Sequence, residues 1–218
     1  MSAAEIDLSL YLVTDAAACA RAGRDVVGTA LAAADGGITC VQVREKGSAR
    51  EHLDVVLRLA RELPSNVALI VNDRVDVFLA ARAAGARVTG VHVGQGDLPA
   101  ADVRDLIGQD ALLGVSARTP EQLTSAAGAG ADYVGVGPLH DTATKADAPA
   151  GIGLERWAAL AGASPLPAVA IGGVTAADGP GLRAAGANGM AVVSAVCASS
   201  DPAAAASELR AAWRGGAA

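Results

Sequence analysis

Two hydroxyls and a cation stand together at Thr142-Ala-Thr144-Lys145, shortly after an apolar run that breaks at Gly137-Pro138. Hydroxyl donors beside an ammonium suit phosphate oxygens. Other apolar runs are also followed by polar residues. Gln42, Arg44 and Lys46 close one run, and Asn72 and Asp73 the next; Asp97, Ser116, Gly172-Gly173 and Ser194 follow four more. Gln42 and Arg44 share parity, so they project to one side of their strand. There Arg44 offers a guanidinium fork, with a salt bridge to Glu45 or Asp73 as its competing use. Asp73 and Asp97 are two carboxylates among cations, a set that suits Mg²⁺ carrying phosphate oxygens. Helix capping is the competing use of both acids. Gly172-Gly173 and Val193-Ser194 leave backbone open to a second phosphate, or simply make tight turns. Two phosphorylated ligands side by side, one of them a diphosphate, point to group transfer with pyrophosphate as the leaving group.

The elements that must position these residues alternate regularly. Strands are expected over Leu8–Val13, Ile38–Arg44, Val67–Val71, Val88–Val93, Ala111–Val115, Ala131–Val136, Pro167–Ile171 and Gly189–Val193. Each is an apolar run, as in strands covered on both faces. Between them lie helical stretches: residues 24–35 ending at Gly36-Gly37, Ser48 to Leu63, a run to Ala84, one opened by Pro99, Thr119 to Ala129, 154–161, one reaching Ala185, and Pro202 to Trp213. Eight strand–helix pairs predict a parallel, closed (β/α)₈ TIM barrel over 1–218 as a single domain. A doubly wound open sheet is the alternative, and no Gly-x-Gly-x-x-Gly opens its first turn. In a barrel the polar residues above all sit at C-terminal strand ends, so seven strand ends converge on one mouth.

Composition narrows the function classes. The 218 residues are 52% hydrophobic with a formal net charge of −6, which argues against a general nucleic-acid surface but not against a local phosphate site. Aromatics at 2% exclude a base-stacking platform. The first residues lack a basic n-region and an apolar h-region, and no apolar run has membrane-spanning length. The expectation is a cytoplasmic protein that meets small phosphorylated molecules rather than nucleic acid or membrane, with self-association into a homo-oligomer left open. Cys19, Cys40 and Cys197 read as small core residues. His52 is expected on a helix surface and His92 as a satisfied core histidine. Gly114-Val-Ser-Ala-Arg118 is no nucleophile elbow, and Lys145 on a polar loop is poorly placed for a Schiff base.

The motifs Val41-Gln-Val-Arg-Glu-Lys46, Val71-Asn-Asp-Arg74, Gly90-Val-His-Val-Gly-Gln-Gly-Asp97, Gly114-Val-Ser116, Gly135-Val-Gly-Pro138 with Thr142-Ala-Thr-Lys145, Ala170-Ile-Gly-Gly173 and Val192-Val-Ser194 occur in one order. Together they closely resemble the thiamine-phosphate synthase family, over nearly the whole chain. The resemblance implies a (β/α)₈ transferase that joins 4-amino-2-methyl-5-(hydroxymethyl)pyrimidine diphosphate to a thiazole ethyl phosphate. It implies pyrimidine-diphosphate contacts from Gln42, Val43, Arg44, Glu45, Lys46, Asn72, Ser116 and Lys145, with Arg44, Ser116 and Lys145 in catalytic roles. It implies Mg²⁺ on Asp73 and Asp97, and the thiazole phosphate on Thr142, Thr144, Gly173, Val193 and Ser194. One departure is His140-Asp141, where the family usually has Phe and often Pro. The related thiazole tautomerases share the fold, but their loop histidine falls at Pro138 here. A tautomerase-like isomerase or a non-catalytic phosphate-binding barrel are the alternatives; an assay for pyrophosphate release separates all three.

Overall fold

The computed structural model describes residues 6–142 and 150–215. Eight short strands close into a parallel barrel in sequence order, β1 to β8, with β8 paired back to β1. They are β1 Leu10–Val13, β2 Cys40–Val43, β3 Ala68–Asn72, β4 Gly90–Val93, β5 Leu112–Ala117, β6 Tyr133–Val136, β7 Ala168–Ala170 and β8 Gly189–Val192. The surrounding helices are α1 Ala16–Arg21, α2 Val26–Gly36, α3 Ala49–Glu62, α4 Val75–Ala83, α5 Ala100–Ile107, α6 Pro120–Gly128, α7 Gly153–Ala163, α8 Gly179–Ala184, α9 Ser194–Cys197 and α10 Pro202–Arg214. Every expected strand is present, shortened by a few residues at one or both ends in most cases.

Alternation within each strand splits the core in two. Leu12, Val41, Val43, Leu69, Val71, Val91, Leu113, Val134 and Val192 face the helix layer and join its large cluster. Tyr11, Val13, Cys40, Ala68, Ile70, Leu112, Tyr133, Val169 and Ala191 form a separate cluster inside the barrel. Strands buried on both faces are apolar throughout, which is why the runs were visible in the sequence. Both tyrosines of the chain lie in the lumen. Gly114 makes room for Tyr133 and His92: a Cβ there would lie 2.2 Å from Tyr133 Cζ and 2.4 Å from His92 Nδ1.

Three helical stretches differ from expectation, one of them the four-residue α9 that precedes α10. Between β1 and β2 there are two helices, not one. The six-residue α1 begins where the Asp15 side chain accepts from Ala18 N at 2.8 Å; so short an alanine-rich turn carries no hydrophobic period to read. The stretch after β7 is a 3₁₀ turn, Ala176–Asp178, followed by α8. His52 is not on a surface. It is buried, and its Nε2 lies 3.1 Å from the Val43 carbonyl. His52, Val56 and Leu59 are spaced i, i+4, i+7 and form the buried stripe of α3.

The end of the barrel opposite the mouth is held by Arg104. Its guanidinium donates to the carbonyls of Gly108 (2.6 Å), Ala111 (2.7 Å) and Gly130 (2.9 Å) and to Asp132 Oδ2 (2.6 Å). The side chain is nearly fully buried, so α5, β5 and the α6–β6 turn share one planar fork. Arg104→Ala should destabilise the fold by about 2–4 kcal/mol, because it takes the ion-pair partner from the half-buried Asp132, which keeps only its bond from Leu113 N, and the donor from several carbonyls. Arg104→Lys should recover less than half, since a point charge cannot span them. Urea unfolding of the three proteins measures this; a loss below about 1 kcal/mol would mean the cluster is dispensable.

Candidate active site

At the mouth, β2 passes from Gln42 inside the lumen to Arg44 at the rim. Gln42 is buried, and its Nε2 donates to Tyr11 Oη at 2.9 Å. Arg44 N donates to Thr14 Oγ1 at 2.9 Å, tying the end of β2 to the end of β1. The Arg44 guanidinium pairs with Asp15 at 3.7 Å, not with Glu45 or Asp73. Glu45 instead folds over its own turn and accepts from Lys46 N (2.9 Å) and Gly47 N (3.2 Å). Lys46 is exposed, and Val43 points away from the lumen into the helix layer. Asp15, Ala16, Ala17, Arg44, Glu45 and Lys46 line a cavity of about 210 Å³ at this rim.

The two acids are neighbours, and neither caps a helix. The residues preceding α4 and α5, Arg74 and Pro99, make no side-chain cap bond. Asp97 Oδ2 accepts from Gly94 N at 2.8 Å within its own turn. Asp73 has φ 59, the one positive φ on a non-glycine residue among the described residues. Its Oδ2 accepts from Asn72 Nδ2 at 2.5 Å. Burial, then the charge and hydrogen bonding of Asp97, push the Asp73 carboxyl up to about 6. Two neighbouring carboxylates, Asp73 in a strained backbone position and neither in an ion pair among the described residues, are a donor set that fits a hard divalent cation. No cluster of three or more such ligands occurs among the described residues.

Ser116 ends the inward row of β5, and its Oγ lies 3.0 Å from His92 Nε2. His92 Nδ1 meets Tyr133 Oη at 3.1 Å, and Tyr133 Oη meets Tyr11 Oη at 2.7 Å. His92 is thus a satisfied core histidine, held uncharged by burial with its pKa lowered to about 4. Burial likewise raises both phenols well above the usual tyrosine range. Above this floor a water-sized void of about 20 Å³ remains among Gln42, His92, Tyr133 and their neighbours.

On the opposite rim, Gly172 and Gly173 have φ 91 and 67, and the β6 loop leans on them. A Cβ on Gly172 would lie 2.3 Å from Pro138 Cβ; one on Gly173 would lie 2.8 Å from His140 Cβ and 3.1 Å from the Asp141 carbonyl. His140 Nε2 reaches Asp178 Oδ1 at 2.7 Å, so the residue that departs from the family pattern clasps the loop stem to the 3₁₀ turn after β7. Partial burial opposes ionisation of Asp178, but bonds from His140 and Thr175 hold its carboxyl below the usual range. Val193 and the exposed Ser194 open α9 at the end of β8, beside Gly173's strand. Thr142 is at the described end of the loop stem; Thr144 and Lys145 lie outside the described residues.

The barrel therefore gathers Gln42, Arg44, Asn72, Asp73, Asp97 and Ser116 on one side of the mouth and Gly173, Val193 and Ser194 on the other. Sequence reasoning passed over Thr14 and Asp15 at the end of β1, although their polar pair right after an apolar run was the available signal. It also passed over Tyr11 and Tyr133, for which the scarcity of aromatics was the only hint.

Asp73→Asn should raise stability in metal-free buffer. The native carboxyl binds its proton more tightly than the unfolded chain, so its ionisation costs stability that is fully lost above about pH 6. After discounting for solvent screening the cost is about 1 kcal/mol, or about 2–4 °C in Tm. Asn tolerates the left-handed backbone. The gain should be present at pH 8 and fade as pH falls from about 6 towards 4; a gain that grows on acidification would contradict the assignment.

The family profile described as thiamine monophosphate synthase matches residues 10–196. The thiamine-phosphate synthase of a Psychrobacter species is 44% identical over 199 residues, covering 89% of this chain and 90% of that protein. That of Chloroflexus aurantiacus is 49% identical over 210 residues, covering 94% and 93%. Among solved structures, thiamine phosphate pyrophosphorylase from Pyrococcus furiosus superposes with a TM-score of 0.82 at 30% identity, over 97% of this chain and 98% of that one. With its motifs, its closed barrel and these relatives in agreement, the chain belongs to the thiamine-phosphate synthase family of transferases.

Proposed function

We propose that the chain joins 4-amino-2-methyl-5-(hydroxymethyl)pyrimidine diphosphate to thiazole ethyl phosphate, giving thiamine phosphate and pyrophosphate, with Mg²⁺ as its cofactor. The observation that carries this reading is the Asp73–Asp97 pair, which caps no helix, makes no ion pair among the described residues and sits across the mouth from a glycine-lined rim. Asp73 and Asp97 would hold the cation, whose chemistry is to neutralise charge on phosphate oxygens. Gln42, Arg44, Glu45, Lys46 and Asn72 surround the pyrimidine diphosphate, and Val43, whose side chain faces the helix layer, takes part through its backbone only. Arg44, Ser116 and Lys145 donate to its oxygens as the methylene C–O bond breaks and the electron pair leaves with pyrophosphate. The resulting pyrimidinylmethyl cation is captured by the thiazole nitrogen, forming the new C–N bond. A ring nitrogen with a free lone pair has no proton to lose, which fits a floor whose histidine, His92, is engaged at both nitrogens. Thr142, Thr144, Gly173, Val193 and Ser194 hold the thiazole phosphate.

Incubating both substrates with Mg²⁺ and following pyrophosphate release tests the reading. Asp73→Ala and Asp97→Ala should lose most of the activity while remaining folded, and excess chelator should do the same to the unmodified protein. Full turnover under chelation would overturn the cofactor assignment. Lys145→Ala should lower kcat by about 10²–10³, more than it raises KM for the thiazole, because leaving-group charge grows in the transition state. An unchanged kcat would remove Lys145 from the chemistry. Gly173→Val, strained at φ 67 and crowded by His140, should weaken thiazole phosphate binding more than diphosphate binding in separate titrations.

A further inference from the structure

His92 and both tyrosines are polar groups at the floor of the site, and the reaction above assigns them no task. They form one unbroken chain of hydrogen bonds. It runs from Gln42 Nε2 to Tyr11 Oη (2.9 Å), to Tyr133 Oη (2.7 Å), to His92 Nδ1 (3.1 Å), and from His92 Nε2 to Ser116 Oγ (3.0 Å). The path crosses the lumen through β2, β1, β6, β4 and β5, and its ends are two residues at the mouth.

Counting donors gives the chain a direction. Either tyrosine can donate in the Tyr11–Tyr133 bond; with Gln42 Nε2 donating to Tyr11, the arrangement that gives each hydroxyl one bond accepted and one donated sends the Tyr11 proton on to Tyr133. Tyr133 then donates to His92 Nδ1. A buried, uncharged imidazole has one N–H, which this leaves on Nε2, donating to Ser116 Oγ. The serine's own proton is thereby turned away from His92. A serine without such a neighbour rotates freely between donating and accepting. With the chain reversed, Ser116 would donate downward and present only lone pairs to the mouth, where they would repel phosphate oxygens.

We propose that His92 is a positioning residue: held as its Nε2–H tautomer by Tyr133 and Tyr11, it aims the Ser116 hydroxyl proton at a phosphate oxygen of the ligand. This rests on the reading of Ser116 as a diphosphate contact. A donor held ready for a charge that grows during bond breaking lowers the barrier without reorganising at that moment.

Two measurements on the full chain judge the proposal. Ring-¹⁵N histidine spectra of the substrate-free protein near neutral pH report the tautomer directly, with only three histidines to assign. His92 should show Nε2–H, and Tyr133→Phe should release it to a mixture; Nδ1–H in the unmodified protein would overturn the proposal whether or not the chain has the proposed activity. In kinetics, Tyr133→Phe should lower kcat about tenfold, the scale of one net hydrogen bond, and by less than about twofold in a Ser116→Ala background. Equal losses in both backgrounds would make the network merely structural. His92→Gln, whose amide nitrogen can take the place of Nε2, should keep more kcat than His92→Asn, and the opposite order would also overturn it. Absence of thiamine phosphate formation by the unmodified protein would instead sink the proposed function, leaving the spectra to decide the relay.

Discussion

Closing eight parallel strands on themselves leaves no sheet edge and only two ends, and that closure governs everything else in this molecule. Because the strands are parallel, every chain exit from a strand falls at the same end. Because side chains alternate, the last inward residue of each strand either fills the lumen or borders the mouth. Gln42, Asn72, His92 and Ser116 occupy this inward row on β2 to β5. The acids and glycines follow one or more residues later, where the backbone leaves the sheet. The opposite end has no such work, and there the chain spends a buried arginine on cohesion.

A lumen this narrow has to be packed, and this one is packed partly with hydrogen-bonding groups. Such groups are tolerable in a dry interior only when each finds a partner. Gly114 supplies the space, Tyr11 and Tyr133 supply bulk, and the hydroxyls satisfy one another and His92. Tyr11 and Tyr133 sit with ring centroids 6.0 Å apart, tilted by 47°, so apolar contact and hydrogen bonding are made by the same two residues. The floor of the mouth is therefore a polar surface joined by side-chain hydrogen bonds, whereas on the far rim the β6 loop leans on the backbone of Gly172 and Gly173.

Fold class and strand order were legible because strands buried on both faces must be apolar and their ends must not be. The convergence of Gln42, Arg44, Asp73, Asp97 and Ser116 followed from that alone. What escaped depended on partners far apart in sequence. Arg44 has carboxylates nearby in the chain, yet the barrel register brings it to Asp15 across β1. The Tyr11–Tyr133–His92 contacts join strands that are not neighbours, and parity within one strand cannot reveal a meeting across the lumen. His52 was readable in principle, since its i, i+4, i+7 partners are apolar. The short α1 was not, because one alanine-rich turn has no period. His140 looked like a disturbance in the loop; its carboxylate partner, Asp178, lies beyond the next strand.

The connection between β6 and α7 has its two ends stitched together. Ile152 N and Gly153 N donate to the carbonyls of Pro138 and Leu139, and Trp157 Nε1 donates to Val136 O at 3.0 Å. Whatever chain lies between these bonds starts and finishes at one spot on a fully packed base. Lengthening a connection whose ends already meet is thermodynamically inexpensive: each doubling costs about 0.6 kcal/mol. The segment that carries Thr144 and Lys145 can accordingly change length and composition over evolutionary time with little effect on folding, so selection there can act on chemistry almost alone.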